Sequence, residues 1–333
     1  MSCLARIVIL IWVVGLAGCA PPATTSQATY AVFGTTVTIQ VRHAQSVDPS
    51  PILADIDYLL QTLHRDWHPW APGELTRLNE GLSQGDWVEV PANIEPLLKR
   101  SQRLEKASDG RFNAAIGRLV ALWGFHTSNY PITTPPPDDS AIEALMVEQP
   151  SALDIVWSPD PPNRIQTTNP AVGLDFSGIA KGAAAQAVCD RLVANGLGDA
   201  LVNLGGDVMV CGPATTPWRV AVHSPQSSAP TIINVDRRLA VFTSGQYHRF
   251  GIWDGERYAH ILDPATGRPV DHLVQATAID PDPILADAAA TALVVAGRSS
   301  ADTLGKKLDL ERWMVVDARP EAPASEITNQ DSR

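Results

Sequence analysis

The stretch Phe250-Gly251-Ile252-Trp253, Asp254-Gly255, Arg257-Tyr258-Ala259-His260-Ile261-Leu262 leaves this chain few options. A type I′ turn needs positive φ at both central residues, and Asp-Gly is among the few pairs that adopt it, so the flanking strands must run antiparallel. The second strand then stops at Asp263-Pro264-Ala265-Thr266-Gly267, where proline fixes φ and glycine permits a left-handed turn. A histidine, an aspartate and a threonine thus collect at one strand end. Upstream, Thr243-Ser244-Gly245 adds hydroxyls and an accessible backbone amide just before Tyr247. Such a cluster either binds a phosphate or orients an acceptor, or it only caps turns; the residues alone allow both.

A second dense segment is Gly173-Leu174-Asp175-Phe176-Ser177-Gly178-Ile179-Ala180-Lys181-Gly182, followed by an alanine-rich helix over 183–194. A strand entering a tight Ser-Gly turn and then a helix brings free amides, a helix dipole and the Lys181 ammonium together, a setting for an anion. The Walker order Gly-x-x-x-x-Gly-Lys-Ser/Thr is absent. Asp175 either holds a ligand hydroxyl or amine or caps the helix. Further on, residues 284–297 predict a helix carrying Asp287 and Thr291 four apart, hence on one face. A carboxylate and a hydroxyl on so apolar a helix need partners: a hard cation, or a bond between the two.

Elsewhere, residues 30–42 alternate as a strand interrupted at Gly34, and helical stripes cover 51–64 and 94–108. A third helix is expected from 111 to 125, a short one over 141–147, and strands around a turn within 155–165. Leu201-Val202-Asn203-Leu204-Gly205-Gly206-Asp207-Val208-Met209-Val210 is a strand broken where backbone can approach a ligand. Residues 219–222, 239–243 and 276–279 are further strands. Trp67 and Trp70, in a proline-rich loop, either plug the core or make a wall for a flat ring. His64 and His68 are four apart without the glutamate of a metalloprotease helix, so no zinc pair is expected.

The N-terminus reads as an export signal over 1–18: Arg6, an apolar run over 7–16, then Leu16-Ala17-Gly18-Cys19. The run is too short to span a bilayer, and small residues before cysteine resemble a lipobox that leaves Cys19 for acylation, anchoring the protein to a membrane on its periplasmic side. Residues 19–29 then form a flexible tether, 30–320 the folded domain, as one body or two interlocked lobes, and 321–333 a disordered tail. Of the remaining cysteines, Cys3 leaves with the signal, while Cys189 and Cys211 are expected as buried free thiols, although an oxidising compartment would let them pair. With 45% hydrophobic and 18% charged residues the chain is globular. A net charge of −11 excludes a nucleic-acid partner and means that an anionic substrate needs local help.

In order, Gly34-Thr35, Glu74-Leu75 through Asn79, Arg111-Phe112-Asn113 with Leu122-Trp123-Gly124-Phe125, Leu174-Asp175 with Lys181-Gly182, Asn203-Leu204-Gly205-Gly206-Asp207, Thr243-Ser244-Gly245 with Tyr247, His260-Ile261-Leu262-Asp263-Pro264 with Thr266-Gly267 and Pro269, and Ala286-Asp287 with Thr291 resemble the motifs of the ApbE family of bacterial flavin transferases. The resemblance covers nearly all of the body behind the lipobox. It implies a T-shaped α/β (α+β) fold with mixed or antiparallel sheets flanked by helices. It implies Mg²⁺-dependent transfer of FMN from FAD to a Ser/Thr hydroxyl, with release of AMP. Family acceptors carry a Ser/Thr-Gly-Ala-Thr-like motif in Nqr- or Rnf-type membrane complexes.

By position, the resemblance gives Mg²⁺ to Asp287, Thr291 and the Gly178 carbonyl. It gives FAD to Phe33, the loop bearing Trp67 and Trp70, Arg111, Phe112, Asn113, Asp175, Lys181 and Ile261. His260 falls beside the pyrophosphate as acid, base or charge stabiliser, and Asp287 is a second catalytic candidate, assisting deprotonation of the acceptor. Phe33 stands where methionine is frequent in the family, Asn113 where aspartate is usual, and Trp67 or Trp70 where a flavin-stacking tyrosine is common. Ala290 replaces a carboxylate found in some members, so Mg²⁺ would keep more waters. An FAD pyrophosphatase and a non-catalytic flavin-binding lipoprotein are the competing expectations.

Overall fold

In the computed structural model, which describes residues 23–160, 163–246 and 249–317, the chain opens with a hairpin. The expected signal (1–18), Cys19, Tyr247 and the tail (321–333) lie outside the described residues. β1 (Ala23–Val32) and β2 (Thr35–Ala44) pair antiparallel and are joined by Phe33 and Gly34 alone. Both turn residues have positive φ, 55° and 65°. Two expectations are corrected here. Residues 30–42 are two strands across a turn, not one strand interrupted at Gly34, and residues 23–29, expected in a tether, belong to β1. That run has neither glycine nor proline and is rich in threonine, so it satisfies its backbone along β2.

α1 (Ser50–Asp66), α2 (Glu74–Ser83), β3 (Val88–Glu89), α3 (Glu95–Ala107), α4 (Gly117–Leu122), α5 (Asp139–Met146), β4 (Val156–Trp157) and β5 (Arg164–Gln166) follow. α1 and α3 bury their predicted stripes through Ile56, Leu60 and Leu63 and through Leu97, Leu98 and Leu104. The helix expected over 111–125 shrinks to α4, because residues 114–117 are bonded elsewhere. The Asn113 side chain accepts the Ala115 amide at 2.8 Å. The Gly117 amide donates to the Gly173 carbonyl (2.7 Å), and the Asp175 amide to the Ala114 carbonyl (2.8 Å). This bridge holds the Asp175 turn in place.

α6 (Ala180–Ala194), β6 (Ala200–Leu204), β7 (Asp207–Val210), β8 (Trp218–Val222), β9 (Thr231–Val235) and β10 (Leu239–Gly245) come next. The hairpin of β11 (Phe250–Trp253) and β12 (Glu256–Ala259) turns at Asp254 and Gly255, with φ of 51° and 81° as the Asp-Gly pair requires. β12 ends three residues short of the expected Leu262, releasing His260 from the ladder. β13 (Leu262–Asp263), β14 (Arg268–Pro269), β15 (Leu273–Asp280), α7 (Pro283–Ala296), α8 (Arg298–Lys307) and β16 (Arg312–Asp317) complete the chain.

The main sheet has seven strands in the order β1-β2-β6-β7-β10-β15-β16, every neighbouring pair antiparallel. One face packs on helices, joining Val37, Ile39, Met209 and Phe242 to Leu60, Leu98, Val188 and Leu293. On the other face Val208, Val210, Val241 and Ile279 meet Trp218, Val220 and Ile233 of the β8–β9 hairpin. Neighbours along β7 thus point to opposite cores, as the pleat demands. A third cluster, with Leu119, Trp123, Ile132, Ile142 and Leu262, seats the β13 turn on α4 and α5. Trp123 Nε1 clamps that turn by donating to the Gly267 carbonyl at 2.8 Å.

The expectation of two free thiols is also corrected: Cys189 and Cys211 form a disulfide. α6 packs across β6 and β7, bringing Cys189 to the residue after β7 with 4.9 Å between Cα atoms, well inside the range a disulfide spans. Both residues are buried, as expected. Among the described residues no helix is long and apolar enough to cross a membrane.

Candidate active site

A cleft of about 820 Å³ opens where β7, β10, the first turns of α6 and α7 and the segment after β12 meet. At its base, α6 and α7 approach so closely that a Cβ on Gly182 would stand 2.3 Å from the Pro283 carbonyl oxygen. Only glycine permits this contact. The Gly182 amide, in the first turn of α6 where helix amides have no acceptor within the helix, donates to Asp287 Oδ2 at 2.8 Å. Lys181 lies between two carboxylates, in contact with Asp207 and 3.5 Å from Asp287 Oδ1. Asp207 is fixed in turn by the Thr243 amide, 2.7 Å from Oδ1.

These contacts set the charges. Burial alone would lower the Lys181 ammonium, but Asp207 and Asp287 outweigh it and raise its pKa. Asp287, only 2% exposed, is pushed up to about 7 by burial and by Asp207, against the opposing pull of Lys181 and the Gly182 amide. One ammonium between two carboxylates leaves a buried negative charge incompletely offset. The expected alternative, an Asp287–Thr291 bond within α7, is not what forms; Thr291 Oγ1 meets Ser244 Oγ at 2.9 Å instead. A Cβ placed on Gly178 would lie 3.7 Å from Thr291 Oγ1, so that backbone faces the hydroxyl. Carboxylate, hydroxyl and a carbonyl from the turn before α6 are hard oxygen donors, which suit Mg²⁺. No group of three or more His, Cys, Asp or Glu side chains placed to hold a metal occurs among the described residues.

His260 lies across the cleft from this cluster's lysine, with Nδ1 3.0 Å from the Arg249 carbonyl oxygen. A carbonyl only accepts, so Nδ1 carries the proton and Nε2 presents a lone pair. Burial first, then the charges of Arg249 and Lys181, lower the His260 pKa to about 4. The imidazole is therefore neutral at pH 7. Asp175 accepts from the Ser177 amide at 2.8 Å and meets His126 Nε2 at 3.1 Å. Burial would raise its pKa, but His126 and Ser177 more than compensate and lower it. It orders the turn before α6 rather than capping the helix, whose N-cap is Ile179.

Arg111, Phe112, Asn113, Asp175, Gly178, Lys181, His260, Ile261, Asp287 and Thr291 all line this one cleft. Phe33 and Trp70 do not. Phe33 sits above the end of α1, stacked on Trp67 at 6.3 Å and edge-on to His64, while Gly34 and Thr35 beside it line the cleft. Trp67 is the core plug, its Nε1 donating to the Asn93 carbonyl. Trp70 is 40% exposed and stacks on His126 at 5.1 Å, one residue removed from Asp175. The His64 and His68 Nδ1 atoms accept backbone amides from Phe33 and Ala71. Asp207 and Arg249 were not singled out from sequence as site residues. Asp207 was visible only as the end of Gly-Gly-Asp, and Arg249 had no signal beyond its hairpin.

The ApbE family profile matches residues 33–313. The chain is 35% identical over 281 residues to the FAD:protein FMN transferase of Rhodobacter capsulatus, covering 83% of this chain and 52% of that protein. It thus spans about half the length of that relative. Over 316 residues it is 29% identical to the FAD:protein FMN transferase of Vibrio cholerae, covering 90% of each. The crystal structure of the ApbE protein of Thermotoga maritima superposes with a TM-score of 0.77 at 29% identity, covering 88% of this chain and 94% of that one.

Proposed function

Because the chain belongs to the ApbE family, we propose that it moves the FMN half of FAD onto a Ser or Thr hydroxyl of an acceptor protein. The observation that carries this is the pairing, in one cleft, of a neutral His260 with an open Nε2 and an oxygen-rich, under-neutralised Asp287 site. The acceptor hydroxyl oxygen attacks the FMN phosphorus and its proton passes to His260 Nε2. The phosphorus–oxygen bond to AMP breaks, and AMP leaves with the electron pair and the negative charge. Such displacement depends on positioning and charge stabilisation more than on covalent help.

Asp287, Thr291 and the Gly178 carbonyl would hold Mg²⁺, which supplies positive charge to the phosphoryl oxygens as the leaving group departs. Lys181 keeps Asp207 and Asp287 in register for that role, and Arg111, Phe112, Asn113, Asp175 and Ile261 wall the space for FAD. We further propose that Cys19 is acylated and holds the protein on the periplasmic side of a membrane. The Cys189–Cys211 disulfide, a bond that persists in oxidising compartments, supports that placement. The acceptor would be a flavoprotein subunit with a Ser/Thr-Gly-Ala-Thr-like motif, of the Nqr or Rnf type.

The test mixes protein lacking residues 1–19 with FAD, Mg²⁺ and a domain bearing that motif, followed by mass spectrometry. One FMN added to the acceptor, dependent on Mg²⁺ and on the motif threonine, is the expected result. FMN and AMP released with no labelled acceptor would replace transfer by hydrolysis. Intact FAD after incubation would leave only binding.

A further inference from the structure

We propose, resting on the flavin-transfer reading, that Arg249 is the residue that captures the diphosphate of FAD. Besides histidines, three cationic side chains line the cleft: Arg111, Lys181 and Arg249. Lys181 is spent on Asp207 and Asp287. Arg111 lies 3.7 Å from Asp109 and donates to the Ser108 carbonyl at 3.4 Å. Arg249 differs: among the described residues its guanidinium has neither a carboxylate within ion-pair distance nor a hydrogen-bond acceptor. A half-buried arginine fork left open in a cleft is matched to a planar or tetrahedral oxyanion from outside the protein.

Its place suits the diphosphate. Arg249 Nη2 lies 3.6 Å from where a Cβ on Gly34 would stand, so the guanidinium reaches over the Phe33-Gly34 turn to the cleft wall opposite its own hairpin. The backbone of the same residue holds His260 Nδ1. One residue thus bridges the rim, the base and the space between them. With both carboxylates ionised, Lys181, Asp207 and Asp287 sum to one negative charge, in a protein of net charge −11. A diphosphate entering that field needs a positive charge beyond Lys181, and in the first turn of α6 the Gly182 amide is already given to Asp287. The Arg249 charge also contributes to keeping His260 unprotonated. A diphosphate docked on the guanidinium offsets that charge and makes Nε2 a stronger base only when FAD is present.

The test is binding to R249Q and R249K, measured by calorimetry with Mg²⁺ present, using FAD, ADP and adenosine as probes. R249Q is expected to weaken FAD and ADP at least tenfold and leave adenosine unchanged, with R249K recovering part of the loss and ADP binding to the unsubstituted protein weakening as salt rises. The proposal is overturned if R249Q binds ADP within twofold of the unsubstituted protein, if ADP and adenosine weaken together, or if R249K binds ADP no better than R249Q. Unsubstituted protein that binds ADP through Arg249 yet labels no acceptor would refute transfer and leave this assignment standing.

Discussion

At the scale of single residues, the site turns on carboxylates that water does not reach. Asp287→Ala removes the incompletely offset charge but leaves Lys181 with Asp207, so the fold should survive while FMN transfer drops by about 100-fold or more. Transfer assays beside thermal melts check this; near-normal transfer would remove Asp287 from the mechanism. Glu105 offers a contrast away from the cleft. It is 4% exposed, and burial raises its pKa although the Ser151 hydroxyl and the Ala152 amide both donate to it. A raised carboxyl holds its proton more tightly when folded, so its contribution to stability is full below the ordinary glutamate range and is lost as pH rises through the raised value. Glu105→Gln should flatten that decline in urea unfolding between pH 4 and 8. An unchanged slope would mean that other groups cause it.

At the scale of elements, α6 joins chemistry to architecture. Its first turn carries Lys181 and the Gly182 amide; two turns on, Cys189 is bonded to the end of β7, whose first residue is the Asp207 that meets Lys181. Helix and strand are thus fastened at both ends. Replacing both cysteines by alanine should cost about 3 kcal/mol, the chain-entropy value for closing a loop of this length, read as a lower urea midpoint. A midpoint unchanged by that replacement would show that packing alone holds α6 to the sheet. Legibility in the sequence followed the range of the cause. The Asp254-Gly255 hairpin, α1, α3 and α7 were legible because turn chemistry and apolar periodicity are local. The Phe33-Gly34 turn passed as an interruption because phenylalanine gives no warning of positive φ, and the helix over 111–125 failed because residues 114–117 bond to 173–175. The disulfide and the open charge of Arg249 depend on elements far apart in the chain, which no window of sequence contains. Of the residues that motif resemblance names, ten line one cleft, while the side chains of Phe33 and Trp70 turn to neighbouring aromatics.

At the scale of the whole molecule, the first hairpin doubles as a spacer. Ala23 opens β1, and the turn at its far end, ten residues on, meets the cleft rim at Gly34. A strand of that length spans about 30 Å. Were Cys19 lipidated as proposed, four steps of chain would separate it from Ala23, and the cleft would work at a set altitude above the membrane, reaching acceptors presented at that height. Lengthening the segment before Ala23 with glycine and serine should alter labelling of a membrane-bound acceptor severalfold, yet leave a soluble acceptor domain untouched; equal effects on the two would sink the idea. On this view β1 is the mast of a lighthouse, and its length selects which neighbours in the membrane can be modified.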